Sequence, residues 1–195
     1  MPFNFLLDEY PDEVIVENVV YKVRCDFRVI LSIMQLLDNP TFSDDEKLYN
    51  ALSIFYEKEI PNNIIDAYTE MIDFIRVYDQ DISKNKSDNK ILDFEIDSGM
   101  IYTAFLQLYH IDIRVEKIHW FKFNCLLENI NDGKPKLLHI MEIRDMEIDN
   151  DMSPKQRLKL RKLKREYSLE KQEDISNSFA NSFFLGVKGG VKNGK

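Results

Sequence analysis

EVIVENVVYKVRCDFRVILSIMQLLDNP, residues 13–40, contains the change of period on which the whole architecture turns. Up to Arg24 the chain runs in two short β-branched segments, Val14-Ile15-Val16 and Val19-Val20-Tyr21-Lys22-Val23, with Glu17-Asn18 between them. That spacing predicts a β-hairpin closed by a two-residue turn. Two strands alone are marginal in water, so the hairpin must lean on the helices after it. At Asp26 the period lengthens. Phe27, Ile30, Met34 and Leu37 form one stripe at helical spacing, and Val29, Ile33 and Leu36 form a second. Asp26 is a competent N-cap, and Asn39-Pro40 ends the pattern. A helix apolar on most sides belongs in the centre of the fold.

Helical signals continue outward from this stretch. Ser43 and Glu46 stand at the capping-box spacing, Asp44 and Asp45 add negative charge to the first turn, and Leu48, Ala51, Leu52 and Phe55 supply a buried face. Pro61-Asn62 opens a third helix, whose stripe of Ile64, Ile65, Tyr68, Met71, Ile72 and Ile75 runs through to Tyr78. From Asp79 to Lys90 there is almost nothing to bury, which predicts a mobile loop over 79–92. Periodicity resumes at Met100, Ile101, Ala104, Phe105 and Leu108. A longer helix is predicted from about Val115 to Ile130, where Trp120, Phe123, Leu127 and Ile130 make a stripe broadened by Ile118, Phe121, Cys125 and Leu126. Asp132-Gly133-Lys134-Pro135 stops it. An apolar stretch, Leu137 to Met146, comes next, and Ser153-Pro154 then introduces a basic helix with Leu160, Leu163 and Tyr167 on one face. These readings predict a mostly α-helical fold of six or seven helices with a small N-terminal β-hairpin. The domain plan is a lead-in at 1–12, an acidic helical body at 13–152, the basic helix at 153–167 and a flexible tail at 168–195.

With 195 residues, 44% of them hydrophobic, the chain has enough material for a core without a disulfide or a metal. Cys25 and Cys125 lie far apart and have no second cysteine or histidine at a ligand spacing, so they read as two buried or half-buried thiols. No apolar run approaches the roughly 18 residues that a membrane span needs, and no basic segment precedes the first hydrophobics, which predicts a cytoplasmic protein.

Charge is unevenly spread. Seven of the eleven residues from Lys155 to Arg165 are Lys or Arg, whereas residues 1–154 hold 30 acids against 15 bases, a net of −15. The basic residues Arg157, Lys159, Arg161, Lys162, Lys164 and Arg165 are candidates for partner binding. Three readings stand side by side: a solvated helix face that docks on the acidic body, a contact with an acidic protein surface, or a contact with nucleic acid through its phosphates. The net charge of −15 repels a phosphate backbone and ranks nucleic acid last.

Catalytic chemistry has no foothold in the sequence. Gly189 and Gly194-Lys195 imitate a phosphate loop, but no strand precedes and no Ser or Thr follows. Asp145, Glu147, Asp149 and Asp151 alternate like a calcium loop, yet the places for its glycine and its bidentate glutamate hold Asn150 and Gln156. His110, His119 and His139 are scattered, and His119 reads as flanking a core tryptophan. The expectation is a protein that is not an enzyme and has no cofactor or metal.

Taken together, Asp93-Phe94-Glu95-Ile96-Asp97, Ile101-Tyr102-Thr103-Ala104-Phe105-Leu106-Gln107-Leu108-Tyr109, Ile111-Asp112 and His119-Trp120-Phe121-Lys122-Phe123 resemble the bacteriophage Gp-fifteen family. The hairpin followed by Asp26-Phe27-Arg28 agrees, and the resemblance covers residues 10–167. Members of that family lie in the tail-gene region of siphophages and prophages, near the gene for the tape-measure protein. The resemblance therefore implies a tail assembly chaperone that binds the tape-measure protein and the tail-tube protein in the host bacterial cytoplasm and is absent from the mature virion. Self-association is compatible with that role. The alternatives are a structural adaptor retained in the virion and a nucleic-acid-binding regulator acting through the basic helix. The family's recurrent aromatics, here Tyr102, Phe105, Trp120 and Phe123, read equally as core or as contact surface.

Overall fold

The computed structural model describes residues 3–76, 91–130, 135–149 and 151–169. The predicted loop from Asp79 to Lys90, the helix stop at 131–134 and the glycine-rich end of the tail lie outside the described residues. Among the described residues two antiparallel strands, β1 (Glu13–Val16) and β2 (Val19–Lys22), are followed by seven helices: α1 (Phe27–Asp38), α2 (Asp44–Phe55), α3 (Ile64–Arg76), α4 (Ser98–Tyr109), α5 (Trp120–Glu128), α6 (Lys136–Asp145) and α7 (Pro154–Glu166). The chain divides into two compact units, Met1–Glu142 and Ile143–Lys195.

In the first unit the hairpin pairs Glu13 with Lys22 and Val16 with Val19. Glu17 and Asn18 turn the chain at φ 50° and 65°, the left-handed pair that matches the twist of the strands. Val14 and Val16 are buried and β1 packs on α3, so the hairpin does lean on a helix. Backbone pairing then continues past β2. Arg24 N–H donates to Phe55 O at 2.8 Å and Glu57 N–H to Lys22 O at 3.0 Å, while Trp120 N–H donates to Cys25 O at 2.7 Å and Phe27 N–H to Ile118 O at 3.0 Å. Residues 22–27 thus pin the end of α2 and the start of α5 to one extended stretch of chain.

Local caps explain the helix boundaries. Asp26 accepts from Arg28 N–H at 3.0 Å, and the Arg28 guanidinium folds back onto the same carboxylate at 2.8 Å. Ser43 and Glu46 form the capping box expected for α2. At the other end of α2, the Arg24 guanidinium donates to the carbonyls of Ser53, Ile54, Tyr56 and Glu57 at 2.6–3.1 Å, which satisfies acceptors that a helix end leaves open.

Two helix starts differ from the sequence reading. The third helix begins at Ile64 instead of Pro61, because Asn63 acts as its cap, its side-chain oxygen accepting from Asp66 N–H at 3.3 Å. The predicted helix from Val115 begins only at Trp120. Asp112 turns residues 112–116 into a loop by accepting from Arg114 N–H at its side chain and from Val115 and Glu116 N–H at its carbonyl. Val115 is 77% exposed, so its place in the apolar pattern was accidental.

Aromatic rings form the core wall. Phe123 stacks on Phe27 at 4.3 Å and on Phe105 at 5.0 Å, with Trp120 at 6.1 Å on the same ring. Phe55, Met71 and Phe105 are fully buried around them. In the second unit α7 begins with a Ser153–Gln156 capping box and Pro154 in its first turn. Leu160 is buried and Leu163 and Tyr167 are half-buried, the face the sequence indicated. Arg144, nearly buried, donates from Nε to Tyr167 O, and Lys164 Nζ donates to Arg144 O, both at 2.7 Å.

Candidate functional site

Of the four aromatics singled out in the sequence, Phe105, Trp120 and Phe123 are core residues, 0%, 4% and 1% exposed, and only Tyr102 is half-buried. The Trp120 indole N–H is satisfied internally by Ile75 O at 3.0 Å. A partner has no access to this stack, whose part is to hold α1, α4 and α5 together.

The basic residues of α7 do not act as one uniform face. Lys159, Arg161, Lys162 and Arg165 are all exposed, beside Leu158, which is 70% exposed. Arg157 is half-buried, its Nε without a hydrogen-bond partner, and Lys164 is occupied by the carbonyl of Arg144. Four of the six candidates therefore remain available as a solvated cationic strip.

His119 has a structural part that its sequence position beside Trp120 did not reveal. As the N-cap of α5, its Nδ1 accepts from Phe121 N–H at 3.1 Å, so its proton sits on Nε2, which donates to Pro11 O at 2.9 Å. Tyr10 stacks on the imidazole at 4.8 Å and Phe3 lies edge-on to Phe121 at 5.1 Å. Burial pushes the imidazole below its ordinary titration range. One side chain thereby fixes both the start of α5 and the docking of the N-terminal segment.

Among the described residues no group of His, Cys, Asp or Glu is placed to hold a metal ion, and no helix is long and apolar enough to cross a membrane. Asp145, Glu147, Asp149 and Asp151 lie exposed from the end of α6 toward α7. Cys25 and Cys125 are free and half-buried, and burial raises the Cys25 thiol pKa.

The most distinctive surface lies in the first unit, where α1, α2 and α3 leave a groove of about 400 Å³. Leu37, Leu48, Ile64, Ile65 and Tyr68 form its apolar part, and Asp44, Lys47 and Thr69 its polar edge. A second depression of about 380 Å³, lined by Arg24, Tyr49, Ser53, Tyr56, Lys58 and Ile60, shares Ile64 with it. Ile65 is 78% exposed and Tyr49 64%. The apolar stripe of α3 is therefore not covered along its whole length: the helix buries Ala67, Met71 and Phe74, and the isoleucines of its first turn face outward. The signal was present in the sequence as an excess, since α3 carries more apolar residues than one buried face uses.

No curated protein matches this chain, and no solved structure does. A family model, described as Bacteriophage Gp15 protein, matches residues 6–169. That span takes in the hairpin, all seven helices and the groove, and with it the chain belongs to the Bacteriophage Gp15 protein family.

Proposed function

We propose that this protein is a phage tail assembly chaperone, acting without a catalytic site, that binds the long helical tape-measure protein in the host cytoplasm and releases it as tail-tube subunits assemble. The observation that carries the reading is the exposed apolar groove between α1, α2 and α3 in a member of a phage family. Amphipathic helices bind by laying apolar anchors into grooves of this kind. A chaperone that must let go needs modest affinity and fast dissociation, which a shallow groove supplies better than an enclosed pocket. The acidic charge of residues 1–154 favours solubility when the protein is made in quantity.

The test is co-expression with overlapping fragments of the tape-measure protein encoded in the same genome, followed by size-exclusion chromatography with light scattering. Fragments that become soluble and co-elute with this protein support the reading and give the stoichiometry. If every fragment aggregates while this protein elutes unaccompanied, the reading falls. Mass spectrometry of purified virions checks release: a chaperone is absent from them, whereas an adaptor is present in stoichiometric amount.

A further inference from the structure

We propose that the groove between α1, α2 and α3 selects a helix whose apolar stripe is flanked by lysine or arginine. This rests on the reading as a helix-binding chaperone and names the surface and the chemistry of its partner.

The apolar part of the groove calls for anchors spaced i, i+3/i+4, i+7 on one helix face. Its edge supplies the charge preference. Asp44 lines the groove, and Asp45 and Glu46 follow it in the same exposed first turn of α2. Glu46 is held ionised by the backbone and side chain of Ser43. Asp44 and Asp45 have no side-chain ion-pair partner among the described residues, and Lys47 is the one base in the lining. Residues 1–154 add a background of −15 that attracts cations and repels acidic helices. An apolar floor beside unpaired carboxylates matches a helix with a basic flank. A helix with an acidic flank meets like charge at the same edge, so the groove discriminates as well as binds.

The first turn of α3 favours docking over burial within the fold. Ile65 projects into solvent, and Leu48 and Tyr68, half-buried, leave part of their area uncovered. The hairpin also carries an exposed apolar pair, Ile15 and Val20, directly opposite each other in the strand register.

The experiment measures fluorescence anisotropy of two labelled synthetic peptides of about 20 residues, long enough to sustain a helix. Both carry the same leucine stripe; one has lysine flanks and the other glutamate flanks. Each is titrated with the full chain, with Ile65→Asp, with the double variant Asp44→Lys and Asp45→Lys, and with Gln107→Asp, an exposed change on α4 as control. The expected result is that the lysine peptide binds at least about tenfold tighter than the glutamate peptide. Ile65→Asp should weaken it by about tenfold or more, the double variant should reverse the preference, and the control should change nothing. Circular dichroism verifies that each variant is folded.

Equal binding of both peptides overturns the proposal, as does lysine-peptide binding that survives Ile65→Asp. A dimer in light scattering that Ile65→Asp converts to monomer also overturns it, because a second copy then fills the groove. Tape-measure fragments that co-elute equally with Ile65→Asp sink the groove assignment while leaving the chaperone reading intact. Conversely, a lysine peptide that binds in the groove while no tape-measure fragment does sinks the chaperone reading alone.

Discussion

The aromatic wall behind α5 and the groove at the first turns of α2 and α3 are written in the same language, apolar residues at helical spacing, yet one is sealed and the other open. Phe27, Phe105 and Trp120 all meet the ring of Phe123 across α1, α4 and α5. Ile64, Ile65 and Leu48 belong to helices whose buried contacts are already made by Ala67, Met71, Leu52 and Phe55. Once the inner face of a helix is filled, further apolar residues have no core to enter. Periodicity therefore reports that a face is apolar without reporting which face is covered.

The largest expected effect separates the two regions directly. Phe123→Ala removes the ring on which three others stack, and the cavity destabilises the fold by about 4 kcal/mol in urea unfolding followed by circular dichroism. A loss below about 1 kcal/mol from this change contradicts the sealed core.

Next comes the cap at the far end of α2. Arg24→Ala leaves four carbonyls without their donor and lowers stability by about 2 kcal/mol. Arg24→Lys recovers only part of this, because an ammonium lacks the planar fork that spans all four acceptors.

His119→Ala removes the N-cap of α5 and the contact with Pro11, a loss of about 1 kcal/mol. This site also gives the fold a pH dependence of known sign. The folded pKa lies below the ordinary imidazole value of 6.5, so the neutral ring stabilises the fold above that pH. The contribution declines below it and is lost as pH falls through the depressed folded value. Urea midpoints measured from about pH 7.5 down to about pH 5 should fall more steeply for the native protein than for His119→Gln, and parallel curves refute the cap.

A smaller gain is expected at His110, which ends α4 in the left-handed region at φ 55°. His110→Gly relieves that conformation and raises the thermal midpoint, by the equivalent of about 0.5 kcal/mol. Smallest of all is Ile65→Asp, which should change stability by less than about 0.5 kcal/mol because the side chain is already in water. A large loss there means that the groove is part of the core, and the comparison between the two regions collapses.

Much of this fold was legible before any tertiary information. The Glu17-Asn18 turn, the Asp26 and Ser43 caps and the Ser153-Pro154 start of α7 are local devices, each complete within about four residues, so sequence spacing reveals them. The late start of α5 was hidden, because its cap is a histidine held in place by Pro11, more than a hundred residues away. The candidate site was less legible than the fold. The basic residues of α7 were visible as a run, but the engagement of Lys164 by Arg144 and the partial burial of Arg157 depend on packing. Of the aromatic candidates, burial alone assigned Phe105, Trp120 and Phe123 to the core.

Residue order alone was enough to establish that this chain is helical with a hairpin at its start, where most of its helices begin, and how its charge is divided, because propensity, capping and composition act over short distances. Packing in three dimensions settled the rest: which apolar stripes face inward, that residues 22–27 pair with both 55–57 and 118–120, and that α1, α2 and α3 leave an open groove. Those outcomes depend on which helix covers which, and coverage is fixed by contacts between residues far apart in the chain.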